Sequence, residues 1–137
     1  MPYLLDTNVL SEMRRQDKMD VRVKSWADAV AVGDLYLSVI TLLEIELGVL
    51  SVSRRDKAQA AILRRWIDTR VLPSFAGRIL SVDATVVLRC AQLHVPDPRP
   101  ELDALIAATA LVHGLQVVTR NVADFRPMGV KLLNPWD

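Results

Sequence analysis

The stretch from Glu101 to Phe125, E-L-D-A-L-I-A-A-T-A-L-V-H-G-L-Q-V-V-T-R-N-V-A-D-F, constrains the fold more than any other part of the chain. Alanine and aliphatic residues cover almost every side of its first half, which predicts a buried helix rather than an amphipathic one. Asp103 stands in the first turn of that helix, where a negative charge faces the positive end of the macrodipole. Gly114 ends the helix, because glycine takes the left-handed conformation after a helix at no steric cost. Leu115–Val118 follows as a short β-branched strand. Thr119-Arg120-Asn121 then turns the chain and leads to Asp124 in the loop beyond.

The same alternation of strand and helix runs through the whole chain. Tyr3–Leu5 is an apolar strand closed by Asp6-Thr7-Asn8, and Thr7 or Asn8 caps a helix over Val9–Met13. A helix over Val21–Val32 is broken by Gly33-Asp34, and Leu35–Ser38 is the second strand. Thr41–Leu50 reads as helical with Thr41 or Ser38 as cap, and Arg54–Thr69 is a further helix. Pro73 and Gly77 mark a loop, Ile79–Val82 a third strand, and Asp83 the cap of a helix to about Leu93. The stiff connector Asp97–Pro100 enters the central helix, and Val130–Leu133 is the last strand. Strands alternating with helices predict a largely parallel sheet covered on both faces. At 137 residues, with no internal repeat, the chain reads as one domain, 1–137.

Four acids sit where such a sheet would gather them. Asp6 follows the first strand, and Glu44 lies early in the helix after the second. Asp103 opens the central helix, and Asp124 follows the strand which that helix feeds. Residues just beyond the carboxyl ends of parallel strands line one crevice. Taken singly, Asp6 and Asp124 read as turn formers and Asp103 as a dipole partner. Glu44 is harder to explain that way, since it stands among Leu42, Leu43, Ile45 and Leu47. Only the joint pattern points to chemistry. Gathered carboxylates need raised pKa values or a cation. No His or Cys stands at ligand spacing, so an all-oxygen site for Mg²⁺ or Mn²⁺ is expected rather than zinc. Thr7, Asn8, Ser11, Thr119 and Asn121 are candidates to hydrogen-bond the carboxylates or water around them.

Composition limits the alternatives. A net charge of +1 excludes the strong basic bias of a non-specific nucleic-acid coat but leaves room for a local basic rim. Arg14, Arg15, Arg54 and Arg55 are the candidates for holding a nucleic-acid backbone. The single Cys90 reads as a small buried hydrophobe, Asp83 as a cap and His113 as a dipole partner at a helix end. A 51% hydrophobic share leaves apolar surface for a partner, and a homodimer is expected. No apolar run reaches the ~20 residues of a membrane helix. Met1-Pro2-Tyr3 leads straight into the first strand, so the expected compartment is the cytoplasm.

These segments resemble a known family. L-L-D-T-N-V-L-S-E at the start, S-V-I-T-L-L-E-I-E-L-G in the middle, and L-D-A-L-I-A-A-T-A-L-V-H-G with V-V-T-R-N-V-A-D-F are similar to the PIN-domain ribonucleases of the VapC/FitB type. The closing G-V-K-L-L-N-P-W also matches, so the resemblance spans essentially the whole chain, with no motif between Ser51 and Arg78. It implies a three-layer α/β/α sandwich and Mg²⁺-dependent cleavage of single-stranded or structured RNA. It makes Asp6, Glu44, Asp103 and Asp124 the acidic metal site, supported by Thr7, Asn8, Thr119 and Asn121. It further implies a dimeric toxin inhibited by a cognate antitoxin protein, which would tether the pair to its own promoter DNA.

Two rival readings are weighed beside it. A phospho-aspartyl protein would use Asp6 as its phosphate acceptor, but D-T-N lacks a second aspartate, and Lys131 falls inside a strand rather than ending one. A non-catalytic binding domain would use the acids only to organise loops.

Overall fold

The computed structural model describes residues 2–137, so Met1, expected to lead into the first strand, lies outside the described residues. β1 (Tyr3–Leu5), β2 (Leu35–Ser38), β3 (Ile79–Leu80), β4 (Gln116–Val118) and β5 (Leu132–Leu133) form one sheet in the order β3-β2-β1-β4-β5. Every pairing is parallel, with Leu4 opposite both Tyr36 and Val117. α1 (Thr7–Met13) and α2 (Val21–Ala29) connect β1 to β2. α3 (Val39–Ser53), α4 (Lys57–Trp66) and the short α5 (Leu72–Ser74) lead to β3. α6 (Ala84–Leu93) and α7 (Glu101–His113) lead back to β4, and α8 (Val122–Phe125) precedes β5.

Alternation along each strand separates two cores. Leu4 and Val117 pack with Val86, Ile106, Ala107 and Phe125 beneath α6 and α7. Their neighbours Leu5 and Val118 face the other way, onto Val9, Val23, Ile45 and Ile67 beneath α1 to α4. A sheet buried on both faces carries no polar side chain in mid-strand, hence the near-continuous apolar strands. The expected three-layer α/β/α sandwich is the architecture found. Ala104, Ile106, Ala107, Ala108 and Ala110 of α7 are all fully buried, and Gly114 closes the helix with φ of 70°.

Several boundaries move for identifiable reasons. Asp6, not Thr7 or Asn8, caps α1: its side chain accepts from the Thr7 N–H, and α1 starts two residues earlier than expected. Ser38 caps α3 by accepting from the Ile40 N–H at 3.0 Å, so that helix begins at Val39 and runs on to Ser53. α2 stops at Ala29, short of the expected Val32. Asp56 caps α4 through Gln59, leaving Arg54 and Arg55 in the turn before it. Past Trp66 the chain widens into a π turn over Ile67–Val71, and Pro73 sits in helical structure rather than a loop. A proline in the first turn of a helix lacks only an N–H that has no partner there. The third strand ends at Leu80 and the last begins at Leu132, so Lys131 precedes β5.

Candidate metal centre

The order β3-β2-β1-β4-β5 turns back on itself between β1 and β4. In an open parallel sheet that switch point is where the two chains leaving the strands diverge and open a crevice. Asp6 leaves β1 there and Thr119 leaves β4. Asp6 is only 5% exposed, and its carboxylate is held from three directions. The Thr7 N–H donates at 2.9 Å, Asn8 Nδ2 at 3.1 Å and Thr119 Oγ1 at 2.8 Å. Thr119 Oγ1 in turn accepts from the Asn121 N–H at 3.0 Å, and Asn8 Oδ1 accepts from the Arg120 N–H at 3.2 Å. The two loops are thereby laced together through one carboxylate.

Glu44 arrives from α3, where Thr7 Oγ1 donates to its Oε1 at 2.6 Å, and Oε2 meets no donor among the described residues. Asp103 comes from the first turn of α7, and the exposed Asp124 from the first turn of α8 rather than from a loop. Their charges register on one another. Burial raises Asp103 most, and the carboxylates of Asp6, Asp124 and Glu44 add to it, pushing its pKa up to about 6. Burial also raises Asp6, against the hydrogen bonds of Thr119, Thr7 and Asn8, with Asp124 adding repulsion. Glu44 is raised by burial and by Asp6, and lowered in part by Thr7.

No arginine, lysine or histidine among the described residues forms an ion pair with any of these four acids. Buried like charges without a counter-charge are expensive, and an oxygen-only donor set suits a hard divalent cation. The residues therefore fit Mg²⁺ or Mn²⁺. Among the described residues, no three carboxylates, imidazoles or thiols are gathered tightly enough to hold an ion as they stand. Side-chain movement, or water between acid and ion as Mg²⁺ commonly retains, would have to complete the set.

The other sequence candidates divide. Thr7, Asn8 and Thr119 bond the acids through their side chains, whereas Asn121 contributes only its backbone N–H. Ser11 is exposed and bonds none of the acids. It lines a groove of about 220 Å³ that runs from Thr7 and Glu44 past Gly48 to Trp66. A Cβ at Gly48 would meet nothing within 4 Å, so the missing side chain leaves the groove open rather than admitting a close neighbour. Arg14 lies over the Trp66 ring at 5.9 Å and lines the same groove. Arg15 is occupied by Glu12 at 3.2 Å, and Arg54 and Arg55 are exposed, with no ion pair among the described residues.

Sequence reasoning overlooked Glu12 and Arg120. Glu12 is 8% exposed, and its carboxylate accepts the Asp20 N–H at 2.7 Å, which ties down the connection into α2. Arg120 stands between Thr119, which bonds Asp6, and Asn121, whose N–H donates to Thr119, and that position in T-R-N was the signal available.

Comparison with known proteins gives the family. Residues 3–129 match the PIN domain. The chain is 39% identical to toxin FitB of Neisseria gonorrhoeae over 97% of both chains. It is 34% identical to VapC ribonuclease Y4jK of Sinorhizobium fredii, over 98% of this chain and 97% of that one. The solved structure of FitAB bound to a DNA fragment superposes with a TM-score of 0.88 at 36% identity, covering 98% of this chain and 96% of the other. The chain belongs to the PIN-domain family, as a member of its VapC/FitB type.

Proposed function

We propose that this protein is a divalent-cation-dependent endoribonuclease, the toxin of a toxin–antitoxin pair. The reading is supported by four carboxylates whose charges register on one another at the switch point of the sheet, none ion-paired to a basic side chain among the described residues, in a chain whose relatives include a named ribonuclease. In hydrolysis, water adds to phosphorus, one ester P–O bond breaks, and the leaving ribose oxygen takes up a proton. Mg²⁺ or Mn²⁺, when bound, lowers the pKa of water and offsets the charge that builds on the phosphate.

The chain's own residues supply orientation. Asp6 is fixed by Thr7, Asn8 and Thr119, so its direction into the crevice does not depend on the ligand. Thr7 holds Glu44 by one oxygen and leaves Oε2 to face the crevice contents. Asp103 and Asp124 add negative charge that favours either a raised pKa, as at Asp103, or a cation opposite.

The same imbalance suggests how the enzyme is silenced. An antitoxin that presents an Arg or Lys to Asp6 and Asp103 would compete with both cation and RNA. Promoter DNA would be reached only through that antitoxin. Leu43, Leu47 and Leu50, 44%, 52% and 60% exposed along α3, supply an apolar surface in keeping with a homodimer.

The phospho-aspartyl reading loses ground, because both Asp6 oxygens already accept hydrogen bonds from buried or half-buried partners. Purified protein is expected to cut RNA with Mg²⁺ or Mn²⁺ and to stop in EDTA. Full cleavage in chelator would sink the metal mechanism. Metal binding without any cleavage of RNA would favour the non-catalytic domain.

A further inference from the structure

Most of the chain's arginines whose contacts are defined are occupied by oxygens. Arg22 is held by Asp20 at 3.1 Å, Arg64 by Glu46 and Asp68, and Arg78 donates to the carbonyls of Leu35 and Ser74. Arg120 differs. It is exposed, forms no ion pair among the described residues, and its guanidinium carbon lies 5.0 Å from the centre of the Trp136 ring. Trp136 is a firm platform: it is 6% exposed, packs in the core with Leu5 and Val118, and its backbone N–H donates to Asn134 Oδ1 at 2.9 Å. A guanidinium resting on a ring is restrained by the ring's quadrupole while its N–H edge stays available to an anion.

The backbone of Arg120 is equally fixed. Its N–H donates to Asn8 Oδ1, and Asn8 and Thr119 both bond Asp6. The backbone of Arg120 is therefore anchored one residue from the brace of the acidic site, on its β4 side, with its side chain laid on Trp136. On the β2 side, Arg14 over Trp66 lines the groove that reaches Glu44.

A polyanion approaching four carboxylates needs positive charge beyond the reacting phosphate, because its neighbouring phosphates meet the same repulsion. We propose that Arg120, held on Trp136, is a positioning residue that receives a backbone phosphate of single-stranded RNA on the β4 side of the acidic site. This rests on the nuclease reading for its substrate, but the contact can be measured without cleavage.

The experiment is fluorescence anisotropy of a labelled, mixed-sequence single-stranded RNA in calcium buffer across a salt series, with steady-state cleavage in Mg²⁺ alongside. The wild type is compared with Arg120→Gln and Arg120→Lys, both at an exposed position where folding is easily verified by circular dichroism. Arg120→Gln is expected to weaken binding about tenfold at low salt and to reduce the slope of log K against log salt by about 0.7, one single-strand phosphate contact. KM should rise by a similar factor while kcat stays within about threefold, the pattern of lost ground-state binding. Arg120→Lys keeps the charge and should recover most of the slope. Unchanged affinity and slope in Arg120→Gln, or a fall in kcat alone, overturns the proposal. So does a wild type that binds no RNA. If binding shows the Arg120-dependent slope but nothing is cut in Mg²⁺ or Mn²⁺, the contact stands and the nuclease reading fails.

Discussion

Asp103 is the residue at which the fold works hardest against itself. In the unfolded chain its carboxyl titrates near 3.8, and in the folded protein burial and three neighbouring carboxylates push it up to about 6. The folded state thus holds this proton more tightly than the unfolded state does. Between about pH 4 and pH 6 the folded form binds more protons, so stability falls as pH rises through that window. Raised values at Asp6 and Glu44 act in the same direction. Without metal, the protein should therefore melt at a lower temperature at pH 7 than at pH 5. Asp103→Asn should flatten that dependence and raise the neutral-pH melting temperature by a few degrees. Thermal melts in EDTA at the two pH values decide it: an equally steep decline in the variant would mean that Asp103 is not the source.

At the scale of the element, α3 separates two glutamates that the sequence leaves side by side. Successive helix positions differ by about 100°, so Glu44 and Glu46 point to different sides. Glu44 meets Thr7 in the crevice, while both oxygens of Glu46 receive the guanidinium of Arg64 and tie α3 to α4. That pair is more than a third exposed on each side, so solvent screens it and it contributes little to stability. Glu44→Gln is expected to lose cleavage by about 100-fold or more while remaining folded. Glu46→Gln should keep most activity with a slightly lower melting temperature. Single-turnover cleavage by both variants tests the assignment, and a dead Glu46→Gln beside an active Glu44→Gln would reverse it.

The same helix shows what could be read in advance. Acids that follow strand ends were legible, because parallel strands send whatever comes next to one edge. The bounds of α3 were not. Ser38 and Thr41 are equally good caps on paper, and only the Ser38 contact with Ile40 chooses between them. The π turn after Trp66 has no local sequence signal, since Ile67, Thr69 and Val71 fit an ordinary helix equally well. Arg120 was passed over as a turn residue, since its partner Trp136 is remote in sequence and nothing local pairs them.

For the molecule as a whole, the acidic crevice sets stability against function. The middle of α7 is buried and β1 lies mid-sheet, so the backbones that carry Asp103 and Asp6 are fixed by the core and cannot shift to relieve the repulsion. A cation that binds only the folded form would reverse the sign of this effect. Its contribution grows as RT ln(1 + [L]/Kd), about 2.7 kcal/mol at a hundredfold excess over Kd. Wild type and Asp103→Asn should then behave in opposite ways. In chelator at neutral pH the variant is the more stable of the two, because the repulsion has been removed. As Mg²⁺ or Mn²⁺ is added, the wild-type melting temperature climbs with the logarithm of concentration, while the variant, short of a ligand and a charge, responds weakly. The two curves should cross. At pH 5 both the gap in chelator and the wild type's response to metal should shrink, because a proton on Asp103 relieves the repulsion and competes with the ion. Differential scanning fluorimetry over a metal series at both pH values is enough to see it. Parallel curves, or a wild type indifferent to both metals, would mean that the four acids are not a cation site.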